Sequence, residues 1–425
     1  MVNEVIKKRY KQTEIGIIPQ DWEIDKLDNS LELLTDFEAN GSFASVAENV
    51  TIFNNQNYAW YVRATDLEQN SSLMDVKWVN QSSYKFLKKT SLFGEELLIT
   101  KRGEIGKVYL FHKKTQFATL APNLYLLKLN QKSVPKFLFY YFKEGHGNYL
   151  LKINNASSTL GALYKNDVKA ILIPFPPKEE QSLIASVLSD TDMLIASLDK
   201  LIIKKKNIKQ GAIQELLTGK RRLSGFKGEW KNNFLKNMVQ TQITDGPHMT
   251  PQFISRGVPF LSVNNLVNNK IDLTDLRFIS KEDDIIFSKK CKPQRNDILL
   301  GKAASVGMTA IVNFDLDFNI WSPLALIRLK KEYSPKYVHY FFQTRFILNQ
   351  IKLLTNSSSQ GNIGMGDLGK LEFKIPNSFE EQSNIAEILS DMDVEIQELE
   401  RKKDKYQKIK IGMIQELLTG RIRLI

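Results

Sequence analysis

The sequence predicts an α+β fold: two tandem mixed α/β domains separated by two long antiparallel coiled-coil helices, with a pseudo-twofold internal duplication. The main observation is a repeat, because Glu180 to Leu223 recurs without a gap as Glu381 to Leu424, and the two copies agree at 24 of 44 positions. A repeat on this scale indicates that the chain contains two copies of one unit. The second observation is that short strand-like segments alternate with Asn, Ser and Gly before each copy.

Each copy of the repeat is predicted to form one long helix. Mostly apolar residues recur in steps of three and four, which places them on one face that packs against a partner helix. In the first copy they are Ile184, Leu188, Thr191, Ile195, Leu198 and Ile202, and in the second copy Ile385, Leu389, Met392, Ile396, Leu399 and Tyr406. The matched faces predict that the two helices pack on each other.

The ends of both helices carry recognisable signals. Ser378 stands three residues before Glu381, which is the spacing of a capping box. Gly219 and Gly420 follow the last periodic leucines, where a helix favours a left-handed residue. Gly211 and Gly412 occupy the same place inside both helices, and a glycine retained in a helix interior predicts a close approach of the two helices there.

The repeat divides the chain into five predicted segments. They are an N-terminal lead-in (1–20), a first globular domain (21–177), the first long helix (178–222), a second globular domain (223–378) and the second long helix (379–425). The two domains also match each other, since ELLITKRGEIG at 96–106 corresponds to DILLGKAASVG at 297–307. The matched order indicates tandem duplication of a domain and a helix.

Composition limits the classes of function. The formal net charge of +12 favours a polyanionic partner, usually a nucleic acid. A membrane is not expected to be a partner, because no apolar run reaches about 18 residues. The opening MVNEVIKKRY lacks the apolar core of a signal peptide, and Cys291 is the single cysteine. These features predict a cytoplasmic protein without disulfides.

The sequence predicts no catalytic, nucleotide or metal site of its own. Gly106-Lys107, Gly301-Lys302 and Gly369-Lys370 are followed by Val, Ala and Leu, so the phosphate-binding motif that needs Ser or Thr after its lysine is absent. The four histidines have no ligand spacing. The chain is therefore predicted not to be an enzyme.

Residue chemistry selects candidates for DNA contact. Phosphates are bound by Lys, Arg, hydroxyls and backbone amides, whereas base edges are read by Asn, Gln, Arg, Lys, Asp or Glu. The candidates in the first domain are Arg63, Thr65, Lys101, Arg102, Lys107 and Ser157, and those in the second domain are Thr244, Asp245, His248, Thr250, Asn264, Asn265, Lys302, Ser305 and Ser358. For each of them an ordinary solvated loop residue is the alternative interpretation.

The repeated EEQxxIAxxLSDxD and QELLTGxxRL motifs, with TDGPHMTP at 244–251, resemble the specificity subunit of type I restriction-modification systems over nearly the whole chain. The resemblance implies that each globular domain is a target-recognition domain that reads one half of a split sequence on double-stranded DNA. It implies that the helices bind two modification (methyltransferase) subunits and, through them, restriction (motor and nuclease) subunits. S-adenosylmethionine, ATP and Mg are then expected on those partners, with no cofactor in this chain.

The first domain departs from the family pattern. It lacks an evident counterpart of TDGPHMTP, and LLTDFEANGSF at 33–43 stands roughly in its place. The first domain is therefore expected to hold DNA with a different loop.

Apolar residues outside the main stripe of the first helix are predicted to bind a partner protein. They are Leu183, Val187, Leu194, Leu201, Ile203 and Ile208. Two alternatives remain open at this point: a free-standing bipartite DNA-binding regulator without catalytic partners, and a structural coiled-coil spacer whose domains bind protein. Salt dependence separates them, because DNA binding through phosphates weakens steeply with added salt and apolar contacts do not.

Overall fold

The computed structural model describes residues 9–153, 162–355 and 361–425, which form two compact units. The first unit comprises the described residues up to Ser197 together with Lys402–Ile425, and the second comprises Leu198–Arg401. Each unit thus combines a globular domain with segments of both long helices. The linear domain boundaries given above stay a prediction.

The first unit carries the first globular domain. Its strands are β1 (Tyr10–Thr13), β2 (Gly16–Pro19), β3 (Glu23–Lys26), β4 (Leu31–Asp36), β5 (Ile52–Phe53), β6 (Ala59–Val62), β7 (Lys77–Val79), β8 (Leu97–Thr100), β9 (Val108–Leu110), β10 (Ala118–Leu120), β11 (Leu124–Leu129) and β12 (Leu172–Phe175). Its helices are α1 (Phe43–Asn49), α2 (Ala64–Glu68), α3 (Gln81–Phe86), α4 (Pro135–Lys143), α5 (Gly145–Ile153), α6 (Lys165–Ala170) and the first part of α7 (Lys178–Leu216).

The second unit carries the second globular domain. Its strands are β13 (Lys231–Phe234), β14 (Thr244–Asp245), β15 (Val258–Leu261), β16 (Leu266–Val267), β17 (Lys270–Ile271), β18 (Arg277–Ile279), β19 (Ile298–Gly301), β20 (Thr309–Ile311), β21 (Asn319–Ile320), β22 (Leu324–Ile327) and β23 (Glu372–Ile375). Its helices are α8 (Leu235–Met238), α9 (Lys281–Ser288), α10 (Pro335–Phe342), α11 (Arg345–Leu354), α12 (Met365–Leu368) and the first part of α13 (Phe379–Leu417).

A four-stranded antiparallel sheet forms the centre of each unit. The strand order is β4-β11-β8-β9 in the first unit and β14-β22-β19-β20 in the second. The register also agrees, since Asp36 pairs with Tyr125 in one sheet and Asp245 pairs with Ala325 in the other. In the first domain the end of β4 and the turn after β8 therefore lie at the same sheet edge, the one formed by strand ends. In the second domain the end of β14 and the turn after β19 lie at the corresponding edge.

The core of each unit lies between this sheet and the neighbouring helices. In the first unit Leu97 and Ile99 of β8 pack in one cluster with Phe137 of α4, Leu151 of α5 and Ile184 of α7. The corresponding cluster in the second unit contains Ile298 and Leu300 of β19 with helix residues from α10, α11 and α13, namely Phe341, Ile347 and Ile385. The start of each long helix is thus part of a domain core.

The long helices run antiparallel where they meet in each unit. In the second unit Lys206 is 2.7 Å from Glu400 and Lys209 is 2.6 Å from Asp393, so the pairing partner moves backwards along α13 as α7 advances. In the first unit Lys410 lies 2.8 Å from Asp192. The predicted apolar stripe is buried at most of its positions, with Ile184 and Leu188 fully inside the first unit.

The predicted signals at the helix ends are present, although α7 and α13 end at Leu216 and Leu417, before the predicted bounds at residues 222 and 425. The Ser378 hydroxyl accepts a hydrogen bond from the Glu381 amide at 3.2 Å. Gly219 and Gly420 have φ values of +71° and +69°, the left-handed region in which a side chain is strained. None of the helices in the described part of the chain has the length and apolar character required to cross a bilayer.

The start of each long helix is fixed by a buried glutamate. Glu180 accepts hydrogen bonds from Trp22 Nε1 at 2.9 Å and from Arg423 at 2.6 and 2.8 Å. In the second unit Glu381 has the same kinds of partner, namely Trp230 at 3.3 Å and Arg222 at 2.9 and 2.8 Å. The tail after one long helix therefore binds the start of the other, which explains why both motifs recur together in the sequence.

The interpretation of Gly211 and Gly412 as points of close helix approach is wrong. Among the described residues, a Cβ atom at either position would have only the backbone of its own helix within 4 Å. Both glycines therefore weaken their helices without making room for a neighbour in the described residues.

We expect Gly211→Ala and Gly412→Ala each to raise the free energy of unfolding by up to about 1 kcal/mol, since alanine loses less backbone entropy in a helix. Thermal unfolding measures the change. Gly420→Ala is the control and should destabilise, because its φ is positive and the added Cβ would lie 2.4 Å from Pro19. A loss of stability in both helix-interior variants would contradict the open space around these positions.

Candidate nucleic-acid interface

A buried carboxylate closes one edge of the central sheet in the first unit. Asp36, the last residue of β4, is 2% exposed. Lys101 directly follows β8 and places its Nζ 2.6 Å from one carboxylate oxygen, while Lys165 at the start of α6 places its Nζ 2.7 Å from the other. Burial alone would raise the pKa of Asp36, but the hydrogen bonds from the two lysines outweigh it and lower the pKa. Asp36 is therefore an ionised anchor for two neighbouring segments.

The second unit has the same arrangement at the end of β14. Lys302 directly follows β19 and lies 2.6 Å from Asp245, and Lys290 lies 2.7 Å from its other oxygen. The Ser322 hydroxyl adds a contact at 3.2 Å. Burial acts to raise the pKa of Asp245, but the hydrogen bonds from Lys290 and Lys302 lower it to about 2. One carboxylate therefore joins several segments in this unit as well.

In each unit the backbone carbonyl of the lysine that follows the central strand accepts a hydrogen bond from a further segment. The Leu163 amide donates to the Lys101 carbonyl at 3.1 Å, and the Ile363 amide donates to the Lys302 carbonyl at 3.1 Å. Leu163 and Ile363 follow the segments 154–161 and 356–360, which lie outside the described residues. In each domain the end of the strand that carries the aspartate, the turn that carries the lysine and the residue Leu163 or Ile363 thus meet at one sheet edge.

Close packing explains why the TDGPHMTP segment has a glycine at position 246. A Cβ atom at Gly246 would lie 2.1 Å from the Ile320 carbonyl oxygen and 2.7 Å from the Trp321 Cα. The close approach brings the chain after Asp245 against the end of β21. Only glycine fits there, so the path of the following loop is fixed at its first residue.

Several predicted DNA-binding side chains are exposed. Arg102 is 64% exposed, and its guanidinium lies 4.0 Å from Glu38. His248 is 73% exposed and lies 3.2 Å from Asp245. The remaining exposed candidates are Thr65, Thr250 and Asn264, and Thr244 and Ser305 are half-buried. Arg102, His248 and Thr250 follow the buried anchors within five residues.

Other candidates are engaged in contacts within the protein. Arg63 pairs with Asp66, and Lys107 pairs with Glu68 and Glu104. The Asn265 side chain donates to the Asp272 and Asp275 carbonyls at 3.1 and 3.0 Å. Ser157 and Ser358 lie outside the described residues. These contacts give the engaged residues a structural role.

Lys101, Lys302 and Asp245 are buried, with 5%, 6% and 5% of their surface exposed. Moving either ammonium group to a phosphate would leave a buried carboxylate with one partner fewer, which is costly. The three residues are therefore placed to support the loops, and the exposed residues beside them are the stronger candidates for DNA contact.

Sequence reasoning missed Asp36, Lys165, Lys290 and Ser322. A signal for Asp36 was present, because Leu34-Thr35-Asp36 resembles Ile243-Thr244-Asp245 in sequence. The lysines had no such signal, since neither Lys165 nor Lys290 stands beside its partner in the sequence.

Four of the six apolar side chains of α7 that are predicted to bind a partner are exposed, whereas Val187 packs against the core of the first unit. Leu183 is exposed in the first unit, and Leu201, Ile203 and Ile208 are exposed in the second, whereas Val187 and Leu194 are half-buried. The second helix has exposed apolar residues that sequence reasoning missed, namely Val394, Ile409 and Ile411. In the described ranges, no group of three or more His, Cys, Asp and Glu side chains could hold a metal ion.

Comparison with known proteins identifies the family. A family model described as the type I restriction modification DNA specificity domain matches residues 19–207 and again 228–410. Two specificity subunits of Methanocaldococcus jannaschii, the putative MjaX subunit and the MjaVIII subunit, are 26% and 24% identical to this chain, and each alignment covers 98% of this chain and 97% of the relative.

The fold agrees with solved structures. The crystal structure of the type I restriction-modification S subunit from M. genitalium aligns with a TM-score of 0.58 at 16% identity, over 93% of this chain and 96% of that one. A chain from a study of type I R-M complex assembly and conformational transition aligns with a TM-score of 0.59 at 15% identity, over 95% of this chain and 99% of that one. The double match of the family model shows that this chain belongs to the DNA specificity subunit family of type I restriction-modification systems.

Proposed function

We propose that this chain reads a bipartite, asymmetric DNA target and positions methyltransferase subunits on it. The observation that carries the proposal is the matched sheet edge, where a buried Asp-Lys pair gathers exposed polar loops in both domains. The two domains then read two half-sites, and because their exposed residues differ, the half-sites differ in sequence.

The charge and the exposed groups suit DNA. A net charge of +12 supplies the sequence-independent attraction to phosphates. Arg102 beside Lys101 is suited to a phosphate or a guanine edge, and Asn264 is suited to adenine. In the second domain His248 and Thr250 are exposed next to a fixed backbone, which favours reading of base edges or phosphates at defined positions.

The two halves of the chain are proposed to be copies of one duplicated unit related by a pseudo-twofold axis, with the long helices as an antiparallel coiled coil. The equivalent buried contacts of Glu180 and Glu381 support duplication, since each joins a tryptophan and an arginine. A twofold arrangement suits the local twofold symmetry of duplex DNA.

The partners follow from the exposed apolar surface on the long helices. Ile203 and Ile208 on α7 are 59% and 47% exposed, and Ile411 on α13 is 54% exposed. Exposed apolar surface on a helix is suited to contact with a partner protein. We propose that two modification subunits dock there and recruit restriction subunits. The chain itself would be non-catalytic and without a cofactor, with S-adenosylmethionine, ATP and Mg on the partners.

The test is co-expression with a candidate modification subunit, followed by base-resolution mapping of methyladenine in the host DNA. The expected result is a split motif with one methylated adenine in each half. Exchanging residues 223–378 for those of another family member should change one half of the motif and leave the other half unchanged. If the complex forms and binds DNA but no methylation appears, the chain acts as a regulator rather than as a specificity subunit.

A further inference from the structure

Four segments converge on Asp245. Lys302 comes from the turn after β19, Lys290 follows α9, Ser322 precedes β22, and His248 belongs to the loop after β14. Lys290 also donates to the Gly246 carbonyl at 3.1 Å. One buried carboxylate thereby fixes the relative positions of all four segments.

Asp36 has a similar role in the first unit through different neighbours. It joins β4 to the turn after β8 through Lys101 and to α6 through Lys165. Lys101 also lies 3.1 Å from Glu38, two residues beyond Asp36. The pair at the sheet edge is thus common to both domains, whereas the second lysine comes from α6 in one unit and from the segment after α9 in the other.

The exposed polar groups lie close to these pairs. Arg102 is adjacent to Lys101, and His248 is three residues from Asp245, so a small movement of an anchor moves them too. A hydrogen bond to a base edge requires donor and acceptor within about 3 Å at a suitable angle. Phosphate contacts lack such sequence information and contribute mainly to overall affinity.

We propose that Asp36 and Asp245 are positioning residues for base readout: each fixes the DNA-reading loops of its own domain without touching DNA. The inference rests on the proposed function, because it concerns how the two domains discriminate half-sites. Loss of an anchor would then reduce discrimination at one half-site and leave the number of phosphate contacts unchanged.

The test uses the complex of the chain with its modification subunit. The probes are three duplexes: one with the split motif found by methylation mapping, and two in which one half or the other is replaced by random sequence. The variants are Asp245→Asn, Lys302→Met and the charge-neutral pair of both substitutions for the second domain, and Asp36→Asn for the first. Binding is measured for each duplex over a range of salt concentrations, and thermal unfolding is measured in parallel.

We expect Asp245→Asn to reduce discrimination at the half read by the second domain by roughly 10–100-fold, the worth of a lost base contact. Discrimination at the other half, the salt dependence and the ability to bind the modification subunit should be retained. Asp36→Asn should show the reverse pattern between the two halves.

The matched control lies at the start of β19, the strand that Lys302 follows. Asp297 precedes β19, is 2% exposed and is bonded by Arg328 at 2.9 and 2.7 Å. Asp297→Asn removes a similarly buried charge, yet it should leave discrimination at both halves unchanged. An equal loss of discrimination in this variant would show that general destabilisation, and not positioning, is responsible.

Two further outcomes would overturn the inference. The logarithm of the binding constant falls linearly with the logarithm of the salt concentration. If Lys302→Met makes that slope shallower by about one and leaves discrimination intact, Lys302 contacts a phosphate directly. If the single variants unfold but the neutral pair is folded and discriminates normally, the anchor serves stability alone. Failure of the wild-type complex to prefer the intact motif would instead count against the proposed function itself.

Discussion

The substitution Arg423→Met is expected to lower the free energy of unfolding of the first unit by about 3–5 kcal/mol. Glu180 has no exposed surface, and Arg423 donates to both of its carboxylate oxygens, at 2.6 and 2.8 Å. Removing the guanidinium leaves a buried carboxylate whose remaining hydrogen-bond donor among the described side chains is Trp22. Breaking a buried ion pair from one side is strongly destabilising because the remaining charge is uncompensated. Urea unfolding at neutral pH measures the change.

Two controls separate the buried charge from other effects of the substitution. Arg421 has a side chain that is 67% exposed and a contact of 3.6 Å with Glu416, so Arg421→Met should change stability by less than about 1 kcal/mol. Adding Glu180→Gln to Arg423→Met removes the unpaired charge and should recover part of the loss. Equal effects of Arg421→Met and Arg423→Met would contradict the assignment of a buried ion pair to Arg423.

The long helices could be predicted from the sequence because their signals are local and occur twice. The step of three and four residues from Ile184 to Ile202 specifies a helix face without knowledge of the rest of the fold. The cap at Ser378 and the left-handed Gly219 and Gly420 depend only on neighbouring residues. The same local reasoning failed at Gly211, because the space around a helix position is set by residues distant in the sequence.

The sequence was sufficient to locate the candidate site but not to show which of its residues are buried. Residue type nominated Lys101 and Lys302 for DNA contact, and both lie at the sheet edge beside exposed polar residues. Whether such a lysine is solvated or buried depends on the pairing of β4 with β11 and of β11 with β8, which brings Lys101 to Asp36 across 65 residues of sequence. The first domain therefore has the anchor of the second, although the loop after its aspartate has a different sequence.

Acidification from pH 7 to pH 5 is expected to lower the free energy of unfolding of the second unit by about 2 kcal/mol through His339. The ring is 8% exposed, with Nδ1 3.0 Å from the Thr309 hydroxyl and Nε2 3.1 Å from the Gln343 amide nitrogen. Burial, assisted by the nearby Lys209 ammonium and opposed by Asp393, lowers the pKa of His339 to about 4. Its pKa in the unfolded chain is about 6.5.

The two pKa values explain why acidification lowers the free energy of unfolding. The folded state favours the neutral ring, so the contribution of His339 to stability is fully present above about pH 6.5 and is lost as the pH falls through about 4. His339→Gln removes the titrating group and keeps a polar side chain, and its stability should change little between pH 7 and pH 5. The matched control is His248→Gln, which removes an exposed histidine of the second unit and is measured over the same pH range. If His339→Gln keeps the wild-type pH dependence, another group in the second unit titrates over this range and His339 is not the source.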